Sequence, residues 1–387
     1  MLETAIAEKT SIEGISDIAE KDCRLPNELI RALAAKGLFA TTIGEKYGGL
    51  EIPALESIKV MEQLAYANAS VGWCGMIFST TAHLGSFLPE KWGKEIYGVT
   101  RKSDQFDCPL AVGAVAPMGK GEVVDGGILV SGRWPWGSGS HHANWICGGT
   151  VVEENGELIR NPTGDPTIYV MFFEKSQVKL YDNWNPSGLR GTGSVDFEVE
   201  NQFVPEDRWT VLGVSRRQID SPLFRFPFFG YFAAAVASIP LGIGRRAVDD
   251  FEAIARGKVP SARKRTINEA SITQLEYGRA ESLVEGAHAY LYKKVEEVWQ
   301  KVTNGEKVKL EDKRQLRLAA SRATIMCAEA VDLLYNAAGG TALQGDCTLQ
   351  KHFRDIHAAT QHRMVSAELL RLAAAARLTD NANIAQL

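Results

Sequence analysis

Two residues stand where side chains could do chemistry on a bound ligand: a serine between two glycines, Ser138, and a late histidine, His362. Ser138 lies in RWPWGSGSHHANW at 133–145, just after Trp134 and Trp136. Glycines let backbone approach a planar ligand closely, and aromatic rings can wall that ligand off from water. A glycine-rich hairpin with ordinary core tryptophans fits the same letters. His362 closes LQKHFRDIHAATQH at 349–362. An unperturbed imidazole titrates near neutral pH and can accept a proton from a phenol or an amine. A surface or satisfied core position is the alternative. His83, in the apolar stretch STTAHLGSF, must meet a polar group or a ligand if it is buried. Either a substrate hydroxyl or a backbone group would serve. In NWNPSGLRGTGSVDFEVENQFVPEDR at 183–208, Thr192 and Ser194 follow Arg190 among glycines that turn formation explains equally well.

His352, His357 and His362 invite a metal reading, but a five-residue step on a helix turns about 140°, so the three cannot converge on one ion. His141 and His142 would alternate faces on a strand. With no HExxH and no set of two histidines and a carboxylate, no metal is expected. Residues 242–247, GIGRRA, match G-x-G-x-x-A but follow an alanine-rich helical stretch instead of a strand, which argues against a nicotinamide site.

The elements that must hold these residues change type twice. From about 14 to 100 apolar residues recur three and four apart, as in LPNELIRALAAKGLFA and IPALESIKVMEQLAYANAS, and SVGWCGMIFSTTAHLGSFL is apolar all round like a buried bundle helix. Near 110 short β-prone runs begin, ILVSGRW, WICGGTVV, TIYVMFF and VDFEVENQFV, separated by glycine and acidic turns. After Pro222 the helical period returns and holds to the end. The expected class is α+β, mainly α. It comprises an N-terminal helical domain at 1–109, a central antiparallel β-domain at 110–220 and a C-terminal four-helix bundle that carries oligomerisation at 221–387.

The 387 residues, 45% hydrophobic and 23% charged, suffice for a sizeable core. A net charge of −4 gives no overall attraction to nucleic acid or anionic lipid, and the basic run at 263–265 reads as a solvated face. Six cysteines without a CxxC pair, and an N-terminus without an apolar export segment, point to the cytoplasm. The uncharged stretch 226–244 holds Pro227 and Pro240 and reads as a buried helix, not a membrane span.

Helices, then strands, then helices, in this order and at these lengths, resemble the acyl-CoA dehydrogenase architecture over nearly the whole chain. VDGGILVSGRWPWGSGSHHANW at 124–145 and LQKHFRDIHAATQH at 349–362 are similar to the flavin monooxygenase branch of that fold. That branch includes two-component aromatic hydroxylases and dibenzothiophene monooxygenase. Dehydrogenases with a C-terminal base follow their Arg-Asp pair with Tyr-Glu-Gly, whose glutamate abstracts a proton. Here Arg354-Asp355 is followed by Gln361-His362-Arg363, and a guanidinium has no lone pair to take that proton.

The resemblance implies a catalytic set of Ser138, His362 and His83. Ser138 would meet flavin N5 and steady a C4a-hydroperoxyflavin, His362 would lie over the substrate, and His83 would bind a substrate hydroxyl. Trp134, Trp136, Ser138, Thr192 and Ser194 would bind the cofactor, reduced flavin as FMNH2 or FADH2, with O2 as co-substrate. Without a Rossmann unit or Walker loop the chain needs a separate NAD(P)H:flavin reductase. A small aromatic substrate and a homo-oligomer, a tetramer, complete the expectation. Oxygenation at nitrogen or sulfur, a true acyl-CoA dehydrogenase, and a catalytically silent subunit are the rival readings.

Overall fold

The computed structural model describes residues 1–162, 164–211, 215–259 and 265–379, so residues 263 and 264 of the basic run lie outside the described residues. The first domain holds α1 (Leu2–Ala7), α2 (Lys9–Glu13), α3 (Ser16–Asp22), α4 (Asn27–Ala35), α5 (Ala54–Ala67), α6 (Ala69–His83) and α7 (Glu90–Tyr97). Helix α6 starts sharply because the Asn68 side chain accepts the N–H groups of Ser70 and Val71. Every residue of α6 is buried. Small residues make this possible, since a Cβ on Gly72 would come within 2.5 Å of the Ala65 Cβ on α5.

A hairpin, β1 (Thr100–Lys102) and β2 (Gln105–Asp107), stands apart from the main sheet. That sheet contains β3 (Ala111–Val124), β4 (Gly127–Gly137), β5 (Trp145–Glu154), β6 (Glu157–Leu158), β7 (Ile168–Glu174), β8 (Lys179–Leu180), β9 (Val195–Pro205) and β10 (Trp209–Val211). Its order is β10-β7-β5-β3-β4-β9-β8, with β6 beside β5. Every pairing is antiparallel except one, for β3 and β5 run parallel from Ala111↔Trp145 to Glu122↔Glu153. The expectation of a purely antiparallel domain is corrected here. Strand β4 returns to the end of the sheet where β3 begins, and 138–144 cross that end to start β5 on the other side of β3. The crossing is what lifts Ser138 to the sheet's rim.

The C-terminal part begins with the short α8 (Pro222–Arg225) and three long helices, α9 (Phe228–Gly257), α10 (Ser271–Thr303) and α11 (Leu310–Ala338). The fourth position is shared by α12 (Thr348–Thr360) and α13 (Ala367–Leu378), separated by a tight turn at 363–365. Helix α9 is long and apolar enough to cross a membrane by length and composition, yet most of its apolar part is buried inside the protein. Gly242 and Gly244 are contact glycines on this helix. A Cβ on Gly242 would meet the Glu62 carbonyl at 2.4 Å, so the G-x-G-x-x-A letters serve close packing of α9 on α5.

Trp134 belongs to the core. It is 0% exposed, donates its indole N–H to the Gly149 carbonyl at 2.8 Å and stacks on Phe197 at 5.2 Å. Gly119, Gly132 and Gly148 form its slot, because a Cβ on any of them would strike the indole. Its expected place against a flavin ring is therefore corrected: the side chain points into the sheet's own core. Trp134→Ala should destabilise the fold by roughly 3–5 kcal/mol through the cavity it leaves. Denaturant unfolding checks this, and a loss below 1 kcal/mol would contradict the packing role.

Candidate active site

Four hydroxyl and indole groups from three separated segments meet at the rim of the sheet. Thr192 Oγ1 donates to the Leu189 carbonyl at 2.9 Å, Thr192 and Ser194 hydroxyls lie 2.6 Å apart, and Ser194 and Ser138 hydroxyls lie 2.6 Å apart. Trp73 on α6 donates Nε1–H to Ser138 Oγ at 3.1 Å. The direction of the chain follows from its end, because a carbonyl only accepts. Thr192 gives its proton to Leu189, so Ser194 donates to Thr192 and Ser138 donates to Ser194. Ser138 thus keeps one lone pair and no free hydrogen. The structure brings Ser138, Thr192 and Ser194 together; Trp73 joins them although sequence reasoning did not single it out.

The loop carrying Thr192 and Ser194 is held from behind by α12. Asp355 accepts the Leu189 N–H at 2.6 Å and takes Lys351 Nζ on its other oxygen at 2.5 Å. Arg354 reaches Glu20 and the Ser187 carbonyl, both at 2.6 Å. Gly188 lies flush on α12, where a Cβ would meet the Arg354 carbonyl at 2.0 Å. The Arg-Asp pair is a clamp on the hydroxyl chain.

His362 sits where the fourth bundle helix breaks, with extended backbone at φ −70 and ψ 128. It is no longer a helical residue, as the sequence period suggested. Its Nδ1 accepts the Met364 N–H at 3.2 Å, so the neutral ring carries its proton on Nε2 and donates there. Burial, with the Arg317 guanidinium nearby, pushes its pKa down to about 4, and the ring is neutral across the physiological range. In this tautomer Nε2–H is a donor, not the proton acceptor of the sequence expectation. Trp73 lies edge-on to the ring at 5.6 Å and Phe232 at 5.5 Å.

His83 is 0% exposed, and neither ring nitrogen has a hydrogen-bond partner among the described residues. Tyr231 stacks on it at 5.3 Å, with Phe224 at 5.1 Å and Phe228 at 5.5 Å. Burial first, and Arg217 second, push its pKa down to about 3. It is a neutral donor and acceptor inside an aromatic wall. Phe228 touches Phe232 at 6.1 Å, so an aromatic arc from the first turns of α9 joins His83 to His362, Trp73 and Ser138. Trp136 is apart from this arc; it is 71% exposed with φ 63. His352 and His357 have their own carboxylates, Asp250 and Asp332, each at 2.8 Å.

Known proteins share this architecture. The N-terminal domain of acyl-CoA dehydrogenase matches residues 4–95, and its C-terminal domain matches 234–367. The chain is 26% identical to the indole-3-acetate monooxygenase of Pseudomonas putida over 91% of this chain and 88% of that protein. It is 28% identical to the flavin-dependent monooxygenase oxygenase subunit HsaA of Rhodococcus jostii, covering 88% and 87% of the two chains. In fold it resembles the crystal structure of a Rhodococcus 3-HSA hydroxylase, with TM-score 0.86, 24% identity and coverage of 98% and 97%. Over nearly its whole length the chain is similar to such monooxygenases, and, matched in both helical domains, it belongs to the acyl-CoA dehydrogenase family.

Proposed function

We propose that this protein is the oxygenase component of a two-component monooxygenase: it receives FMNH2 or FADH2 from a separate NAD(P)H:flavin reductase and uses O2 to hydroxylate a small aromatic substrate. The observation that carries the reading is the directed hydroxyl chain ending on Ser138. A lone pair with no free hydrogen suits an N–H group, which reduced flavin has at N5 and oxidised flavin lacks. The residues therefore fit the reduced cofactor. Bound there, reduced flavin supplies the electrons that let one oxygen atom enter the substrate while the other leaves as water.

The remaining work belongs to side chains of this chain. Trp73 and Ser194 fix the Ser138 rotamer, and Thr192 sets the direction of its hydrogen. His362 offers Nε2–H to oxygen on the substrate side. His83 orients a substrate hydroxyl, since its two unpaired nitrogens gain a partner when one arrives. Phe224, Phe228, Tyr231 and Phe232 give a flat ring apolar walls and keep water out. Ile272, Leu275, Leu343 and Leu378 are exposed in the C-terminal part, and cover by further copies of the chain would make a homo-oligomer, a tetramer. Trp136, large and exposed, is suited to cover the cofactor from the rim.

A dehydrogenase with a C-terminal base requires a carboxylate near 361–363, and the one carboxylate this motif offers, Asp355, has both oxygens occupied by Leu189 and Lys351. Acyl-CoA thioesters of any chain length should therefore leave the absorbance of added oxidised FAD unchanged. Rapid bleaching on mixing would overturn the oxygenase reading.

A further inference from the structure

Arg317 on α11 is 1% exposed and has no carboxylate partner among the described residues. Its Nη1 donates to the Phe229 carbonyl at 3.2 Å and the Met364 carbonyl at 3.3 Å. Nη2 meets only the Met364 sulfur, at 3.8 Å, and buried Nε has no acceptor among the described residues. Nε and Nη2 form the edge of a guanidinium that grips a carboxylate with two parallel bonds. Elsewhere this chain uses that edge for the purpose: Arg225 on Asp220 at 2.7 and 2.8 Å, and Arg314 on Glu311 at 2.7 and 2.5 Å.

A buried cation is costly without an anion, and leaving a buried donor unpaired adds to the cost. Arg208, the other buried arginine with an unpaired Nε, is compensated by the charges of Glu174 and Glu95 and by the faces of Trp92 and Trp145. Arg317 has neither kind of compensation. Its neighbouring charge is another cation, Arg363, and burial with that neighbour lowers its pKa to about 10, so it stays charged. The carbonyl it holds belongs to Met364, whose N–H orients the His362 ring. The unpaired edge and the His362 Nε2–H are donors alone, and the Arg317 charge acts on the His362 ring.

We propose that Arg317 receives the carboxylate of the substrate on its Nε and Nη2, which makes the substrate class an aromatic carboxylic acid held by its anion at the His362 end of the arc. The assignment rests on the oxygenase reading and narrows it. The test is calorimetric titration of the full chain, loaded with reduced flavin without oxygen, using a panel of aryl acetates and benzoates beside their amides, indole-3-acetate and indole-3-acetamide among them. At least one acid should bind about tenfold or more tightly than its amide. Arg317→Met should remove that preference and leave amide binding near the original value. Arg317→Lys, which keeps the charge without the fork, should keep only a small part of it.

No acid preference anywhere in the panel, whether both forms bind or neither does, overturns the proposal. So does an acid preference that survives in Arg317→Lys. Should Arg317→Met fail to fold, the unsubstituted chain and the lysine variant decide alone. Admitting oxygen to the same samples separates the two readings. An amide hydroxylated as readily as its acid removes the carboxylate site and leaves the oxygenase standing, whereas flavin oxidation with no hydroxylation of any panel member removes the oxygenase reading.

Discussion

Ser138→Ala is expected to turn a hydroxylase into a source of hydrogen peroxide. The variant should consume O2 at the expense of reduced flavin while product per flavin falls by roughly tenfold, the size of one hydrogen bond to a developing charge. The cause is local. Alanine removes the one acceptor that the chain from Leu189 through Thr192 and Ser194 presents with its lone pair free, and it leaves the Trp73 N–H without its partner. Thr192→Val, which keeps the shape but removes the anchoring donor, should shift the balance the same way by a smaller factor. Peroxide and product are measured together per reduced flavin added. Unchanged coupling in Ser138→Ala would show that the hydroxyl chain ends on the wrong atom.

His362→Ala is expected to fail differently, slowing product formation on the order of a hundredfold, as loss of a placed donor does in an enclosed site. His362→Gln, which can still present an N–H, should recover part of the rate. The pH dependence carries the sharper test. Burial and Arg317 hold the folded-state pKa at about 4, well below the usual imidazole value, so the ring is neutral above that point and gains a proton only as pH falls through it. The contribution of His362 to rate should therefore be flat from about pH 5.5 to 9 and fall only toward pH 4. A rise with an inflection near 6.5, abolished in the alanine variant, would mean that the imidazole works as a proton acceptor after all.

Much of the site was legible because its residues stand in stretches with strong local character. Ser138, Thr192 and Ser194 lie in glycine-rich turns between strands, and the structure brings all three into one hydrogen-bonded chain. His83, in an apolar helix, is buried beside aromatic side chains. The tryptophans were less readable. A core indole and an indole at the sheet's rim have the same neighbours in sequence, so the letters did not separate Trp134, bonded within the core, from Trp73, bonded to Ser138. The available signal was an indole N–H in a helix of small and apolar residues, which needs a partner from another segment.

The break at 361–366 was hidden because QHRMVS contains neither proline nor glycine. Tertiary contacts end the helix there, with Arg317 holding the Met364 carbonyl that an unbroken helix would have used itself. Arg317 was invisible for the opposite reason: an arginine in LRLAAS reads as solvated, since arginines are seldom fully buried. The parallel pairing of β3 with β5 depends on where 138–144 cross the sheet, which strand composition does not encode.

The most direct test of the oxygenase assignment is to mix the purified chain with chemically reduced flavin and an aromatic acid without oxygen, then add isotopically labelled dioxygen and weigh the product by mass spectrometry. One labelled oxygen atom in the product, with neither reductase nor nicotinamide present and product approaching one per reduced flavin, is the predicted result. Product without label, or flavin oxidised with peroxide alone across the panel of acids and amides, would contradict it.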